Sequence, residues 1–253
     1  MSIEDYPLLL FALSLVVFAL SAKFGGLYRK RRLPEHDLGE DFGIVVGATL
    51  TLLALIIGFT FSMALTRYDQ RKNYEEAEAN AIGTEYLRAD LLPAADAAKV
   101  RVLLKNYLNQ RILFYQIRSV QQIRQIDAST AKLQTELWSA VLAPTVAQPT
   151  PPMALVVSGM NDVLNSQGYT QAAWWNRIPR AAWIFMMIMA ICANTLVGCG
   201  AREAARKARL LWILPIVVSI AFFLIADIDS PRSGVIRVTP QNLLSLSESL
   251  HAQ

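Results

Sequence analysis

The apolar residues of this chain are gathered into four blocks, residues 7–22, 43–65, 181–198 and 210–226, each free of Asp, Glu, Lys and Arg. A helix needs about 20 apolar residues to cross a bilayer, so each block is predicted to span the membrane, the first and last drawing on flanking residues to do so. The second block has no stop signal. GIVVGATLTLLALIIGFTFSMALT runs straight into RYDQRKNYEEAEANAIGTEYLRADLLP, which is charged but still helix-forming, and the first breaker is Pro93. One helix is therefore predicted to leave the membrane and become the first helix of a domain in water.

Residues 66–180 show no sustained alternation at period two and read as helical. Val100, Leu103, Leu104, Tyr107, Leu108 and Leu113 fall on one stripe of a predicted helix. A second helix, Ser129 to Leu142, is predicted to stop before Pro144, leaving APTVAQPTPP as a linker, because proline lacks the N–H that a helix interior uses. A third, from about Met153 to Leu164, precedes a predicted turn at Asn165-Ser166-Gln167-Gly168. Trp174, Trp175 and Trp183 with Arg177 and Arg180 are read as membrane-interface residues. The expected fold is an all-α membrane protein with four transmembrane helices and an inserted helical soluble domain. Residues 1–65 form a first transmembrane hairpin, 66–180 the helical domain, 181–226 a second hairpin, and 227–253 a tail ending in a short amphipathic helix.

Composition agrees with the blocks: 54% of residues are hydrophobic and 17% charged, where soluble chains average roughly 45–50% and about 25%. An N-terminal signal peptide is disfavoured, since Glu4 and Asp5 precede the first block and the basic cluster follows it. The net charge of +4 requires no nucleic-acid partner, because the basic residues lie beside the spans, where lipid headgroups favour them. Orientation is contested within the sequence. The two short loops hold nine Lys/Arg (Lys23, Arg29, Lys30, Arg31, Arg32, Arg202, Arg206, Lys207 and Arg209), which argues for a cytoplasmic side. Arg67, Arg71, Lys72, Arg177, Arg180, Arg232 and Arg237 border the spans on the opposite side.

The chemistry of an enzyme is missing. His36 and His251 are the only histidines, and they form no metal-ligand spacing with the two cysteines. Cys192 and Cys199 share a helix face about 10 Å apart, too far for a disulfide, and read as packing residues. No nucleophile motif, phosphate-binding loop or dinucleotide fingerprint is present. Asp227 and Asp229 with Ser230 supply at best half of a calcium site; as helix-end and turn caps before Pro231 they need no metal. No cofactor is expected.

On the second block, Gly43, Gly47, Thr51, Ala54, Gly58 and Ser62 form one stripe about 100° wide. Such small residues let helices approach closely. Beside them, at steps of four, stand Thr51, Leu55 and Phe59. A ring of these positions from several subunits makes a narrow apolar constriction of the kind that gates by dewetting; the alternative is that they face lipid or a neighbouring span.

IIGFTFSMALTRYDQR followed by YEEAEANAIGTEYLRADLLP, with MNDVLN, Arg177-Ile178-Pro179-Arg180 and DIDSPRSG further on, resembles the bestrophin-like domain family of bacterial membrane proteins over essentially the whole chain. A looser likeness to bestrophins proper rests on Gly58, Phe59 and Arg67 and on the order of spans. The resemblance implies a homo-oligomeric, pentameric ion channel in the bacterial inner membrane, with its helical domain in the cytosol, against the loop charge. It implies a neck of Phe59, Leu55 and Thr51, where Thr51 departs from the usual apolar residue. The acidic cluster of the animal calcium clasp is missing, so no calcium gating is expected. Selectivity stays open: Glu40 and Asp41 as rings attract cations, and Arg67 as a ring attracts anions, while a charge at a span boundary is more often an interfacial anchor or ion-pair partner. A membrane-anchored scaffold or sensor that binds a partner through the helical domain is the alternative function.

Overall fold

The computed structural model describes residues 6–32, 39–201 and 210–252; the expectations that concern Glu35, His36, Asp37 and the basic loop 202–209 lie outside them. Among the described residues every regular element longer than one turn is an α-helix: α1 (Pro7–Arg32), α2 (Glu40–Arg88), α3 (Ala94–Gln116), α4 (Val120–Ala147), α5 (Pro151–Trp175), α6 (Arg180–Gly200), α7 (Ile213–Asp229) and α8 (Gln241–His251). Among the described residues four helices are long and apolar enough to cross a membrane. The protein is a multi-pass, all-helical membrane protein. Helix α2 stops where it should, because Pro93 forces Leu92 into an extended conformation (φ −86°, ψ 158°).

Two units divide the chain, one of residues 1–68 and 177–237, the other of residues 69–176 and 238–253. In the membrane unit α1 packs chiefly on α6 and then on α7. Its core gathers Phe18, Leu53, Ala64, Trp183, Met186, Ala190, Val218, Phe222 and Ile225. Phe222 takes edge-on contacts from Phe18 at 5.4 Å and Trp183 at 6.0 Å. Helices α1 and α6 touch backbone to backbone. A Cβ added to Gly25 would sit 2.0 Å from the Thr195 carbonyl oxygen, and one added to Gly198 would sit 2.0 Å from that of Ala22. The Arg29 guanidinium then donates to the Cys199 and Gly200 carbonyls at 3.1 Å, which satisfies acceptors that a helix C-terminus leaves unpaired. Cys199 is buried and Cys192 exposed, neither in a disulfide, and the Cys199 thiol donates to the Gly25 carbonyl at 3.2 Å.

In the helical unit α3 buries Val100, Leu104, Tyr107, Leu108, Ile112, Phe114 and Tyr115. Leu113, expected on that stripe, is exposed, because α3 buries one further step along, at Ile112 and Tyr115. Three other expectations are corrected. Helix α4 starts at Val120 and passes through Pro144 to Ala147, with Pro144 buried; one missing N–H is tolerated when the rest of the turn packs, and the break falls at residues 148–150 instead. Helix α5 continues through the expected turn to Trp175, because Val163, Ser166 and Thr170 line its buried face and the Ser166 hydroxyl bonds the Val163 carbonyl at 2.7 Å. Tertiary packing here overrides local turn propensity. Trp174 is not an interface residue: it is buried against Phe114 and Tyr115, ring centres 4.9 and 5.5 Å away. Trp183 is likewise buried in its own unit, and of these three tryptophans Trp175 alone is exposed. The tail forms α8, anchored by buried Leu243 and Leu250 and by the Lys105 ammonium, which donates to the Leu250 carbonyl at 2.7 Å.

Candidate functional site

The apolar half of α2 presents two faces. Leu53, Thr60 and Ala64 point into the membrane unit, and the Thr60 hydroxyl folds back on the Ile56 carbonyl at 2.8 Å. The opposite side is largely uncovered by the described residues of the protomer. In the most apolar stretch of α2 only 6% of residues are buried, against 33–44% in the other three candidate spans. Leu55 and Phe59 are 52% and 65% exposed, Thr51 and Ser62 are exposed beside them, and a Cβ on Gly43, Gly47 or Gly58 would meet no atom within 4 Å. The close helix contacts expected of the α2 glycines are made, within the protomer, by Gly25 and Gly198 instead.

Glu40 and Asp41 form the exposed first turn of α2, where carboxylates interact favourably with the helix dipole. Arg67, at the other end of the apolar half, is half-buried, and its Nη1 has no hydrogen-bond partner among the described residues. His251 lies exposed at the end of α8, with Nδ1 2.6 Å from the Ser247 carbonyl.

Beyond Arg67 the same helix carries a seam of buried charge. Arg71, Glu75, Glu78 and Glu85 are at most 1% exposed, in line with buried Ile82 and Ala89. Their spacing of four, three, four, three and four residues is a heptad repeat, normally apolar at those positions. Two of the three acids have clear hydrogen-bond partners. Glu78 accepts from the Arg111 guanidinium, from the Tyr115 hydroxyl and from the Thr170 hydroxyl, the last two at 3.3 Å. Burial works against the Arg111 charge, but Glu78 and the tyrosines beside it more than offset this, so the guanidinium stays protonated. Burial and then the Glu78 charge push the Tyr115 phenol up, so it serves only as a neutral donor. Glu75 accepts from the Leu243 N–H at 3.0 Å and the Asn242 amide at 2.6 Å, capping α8. Glu85 has no such partners. The seam was legible in principle, since charges at heptad positions next to Ile82 cannot all face water, but the charge itself masked the period.

In the last turn of α7, Asp227 accepts from the Val235 and Ile236 N–H groups at 2.7 and 2.8 Å. Asp229 accepts from the Ile178 N–H at 3.2 Å and pairs with Arg177 at 3.5 Å, while Arg177 also donates to the Ser230 hydroxyl at 2.8 Å. These carboxylates act as turn caps, as the capping alternative required. Among the described residues no three His, Cys, Asp or Glu side chains converge as a metal site.

Residues 9–243 match the family model of the bestrophin-like domain. The chain belongs to the bestrophin-like family. Solved structures agree on the fold. A bacterial bestrophin homologue from Klebsiella pneumoniae, crystallised as a point mutant, superposes with a TM-score of 0.67 at 12% identity over 96% of this chain and 98% of that one. A second mutant of a Klebsiella pneumoniae bestrophin homologue gives 0.67 at 14% identity, covering 95% and 97%. The chain has no significant match among curated proteins. In this bestrophin-like chain, the side of α2 left bare by its own protomer is the candidate site.

Proposed function

We propose that this bestrophin-like chain is one subunit of a homo-oligomeric, pentameric ion channel that conducts passively, with α2 lining the pore. The observation that carries this reading is the bare face of α2, with Thr51, Leu55 and Phe59 at steps of four and a glycine stripe alongside. An apolar helix that needed only lipid contact would not require glycines at Gly43, Gly47 and Gly58 on its outer side, since glycine weakens a helix by roughly 0.5–1 kcal/mol relative to alanine. Copies of α2 around an axis use those glycines to approach one another and bring Leu55 and Phe59 into an apolar neck, with Thr51 a wetter third position. The family fold supports the same arrangement.

Anions are favoured slightly over cations, because half-buried Arg67 places a cation at the end of the apolar stretch, whereas Glu40 and Asp41 already have a role at the helix N-terminus. The membrane is the bacterial inner membrane, with the helical unit in the cytosol; cleavage of that unit by protease added outside spheroplasts would reverse the orientation.

Purified protein in planar bilayers tests the neck. Phe59→Ala and Leu55→Ala are expected to raise unitary conductance several-fold, Phe59→Ala more. Unchanged current in both variants counts against this neck. A protein that is monomeric by light scattering and passes no ions into liposomes overturns the channel reading in favour of a membrane-anchored scaffold.

A further inference from the structure

Within the helical unit, Glu85 differs from the other acids of the seam. Its side chain is 0% exposed, yet neither carboxyl oxygen has a hydrogen-bond partner among the described residues. It is pressed onto the backbone of α5: a Cβ on Gly159 would lie 2.0 Å from Glu85 Oε2 and 2.3 Å from Arg88 Nη1. Glycine is thus the residue that lets α5 close over this carboxyl. The charged groups that face it are Arg88 on its own helix and Asp162, one turn after Gly159 on α5. Arg101 on α3 is engaged with Asp90 and lies over the Tyr86 ring.

An ionised carboxylate without donors is costly to bury and takes up a proton instead. Burial is the main influence on Glu85; Arg88 opposes it and Asp162 reinforces it, and the outcome is a pKa pushed up to about 8. At neutral pH the group is a neutral acid.

We propose that Glu85 is a proton-binding site that governs the contact between α2 and α5. With the proton on, the carboxyl seats against Gly159 and α5 is closed. When the O–H bond breaks and water takes the proton, the anion needs hydration that the closed contact excludes, and α5 opens at that turn. The direction of the pH effect follows from linkage. The closed form binds the proton more tightly than the open form, whose carboxyl titrates near the ordinary 4.5. Closure is therefore favoured most at acid pH, weakens as pH rises from that range to about 8, and changes no further above it.

Hydrogen exchange of the full-length protein in detergent, corrected for the intrinsic pH dependence of exchange, reads this contact without any ion flux, so the result is independent of the channel reading. Between pH 5 and 8 protection of the peptide containing Gly159 is expected to fall by up to about tenfold per pH unit and then to level off. Glu85→Gln, which cannot titrate, is expected to abolish the slope. Asp162→Asn, a change at an exposed side chain, removes the reinforcing charge and moves the levelling point to lower pH, which gives a second reading should Glu85→Gln fold poorly. A pH-independent wild type, an unaltered slope in Glu85→Gln, or an unmoved levelling point in Asp162→Asn would each overturn the proposal.

Discussion

The two units bury polar side chains in opposite ways. In the membrane unit they bond the backbone of their own helix: Ser14 to Phe11, Ser21 to Val17, Thr60 to Ile56, Asn194 to Ala190 and Thr195 to Ile191, all between 2.8 and 3.0 Å. Helices there meet through glycine, and charge stays at the ends, as with Arg29. In the helical unit the interior holds Arg71, Arg111 and three glutamates. Hydrocarbon supplies no partner for a polar group, so a span must satisfy it locally before packing. A water-exposed bundle can recruit a cation and a hydroxyl from one helix and a second hydroxyl from another to a single carboxylate, as Glu78 does with Arg111, Tyr115 and Thr170. The first mode makes backbone spacing the sensitive quantity; the second makes pairing the sensitive quantity.

Substitutions of each kind break the comparison at different strengths. Gly198→Leu is expected to do most damage, since its Cβ would collide with the Ala22 backbone oxygen; loss of monodisperse protein on size exclusion is the readout, with more than about 4 kcal/mol lost. Gly58→Ala, on the bare side of α2, is the control: it leaves the protomer intact, and any effect it has must come through subunit assembly. Next comes Arg111→Met, which strands the buried Glu78 carboxylate and is expected to cost about 3–5 kcal/mol by thermal unfolding. Adding Glu78→Met should recover much of that loss, because removing both charges also removes the desolvation penalty. Lys132→Ala sits at the bottom of the scale. Its exposed pair with Glu136, at 3.8 Å, contributes within about 0.5 kcal/mol, screened by solvent and salt, and unfolding should not move measurably.

The spans, the unbroken α2 and the terminal helix were legible because hydropathy and the lack of a breaker are local properties. Helix α4 running through Pro144 and α5 running through Asn165-Ser166-Gln167-Gly168 were not, since in both cases contacts from other helices overrule the local preference. Trp174 shows the same limit: a tryptophan near a span suggests an interface, and only the ring contacts with Phe114 and Tyr115 place it in a core. At the candidate site, sequence singled out Thr51, Leu55 and Phe59 as one line on α2. What no local pattern could supply was which of two small-residue sets closes helices within the protomer. The glycines of α1 and α6 do so, leaving those of α2 uncovered.

The interleaving of the units also bears on how the chain is made. Arg29 bonds a carbonyl 170 residues later, so α1 enters the bilayer long before its principal neighbour exists. Most of the helical unit is synthesised in that interval and can condense first, as sequence-local domains do during translation. The order then reverses: the last span is finished before residues 238–253, which belong to the helical unit, leave the ribosome. A transcript ending after Arg237 would encode every span yet leave Glu75 without the donors of Asn242 and Leu243. Such a chain is a membrane protein whose helical unit also lacks the buried Leu243 and Leu250 side chains.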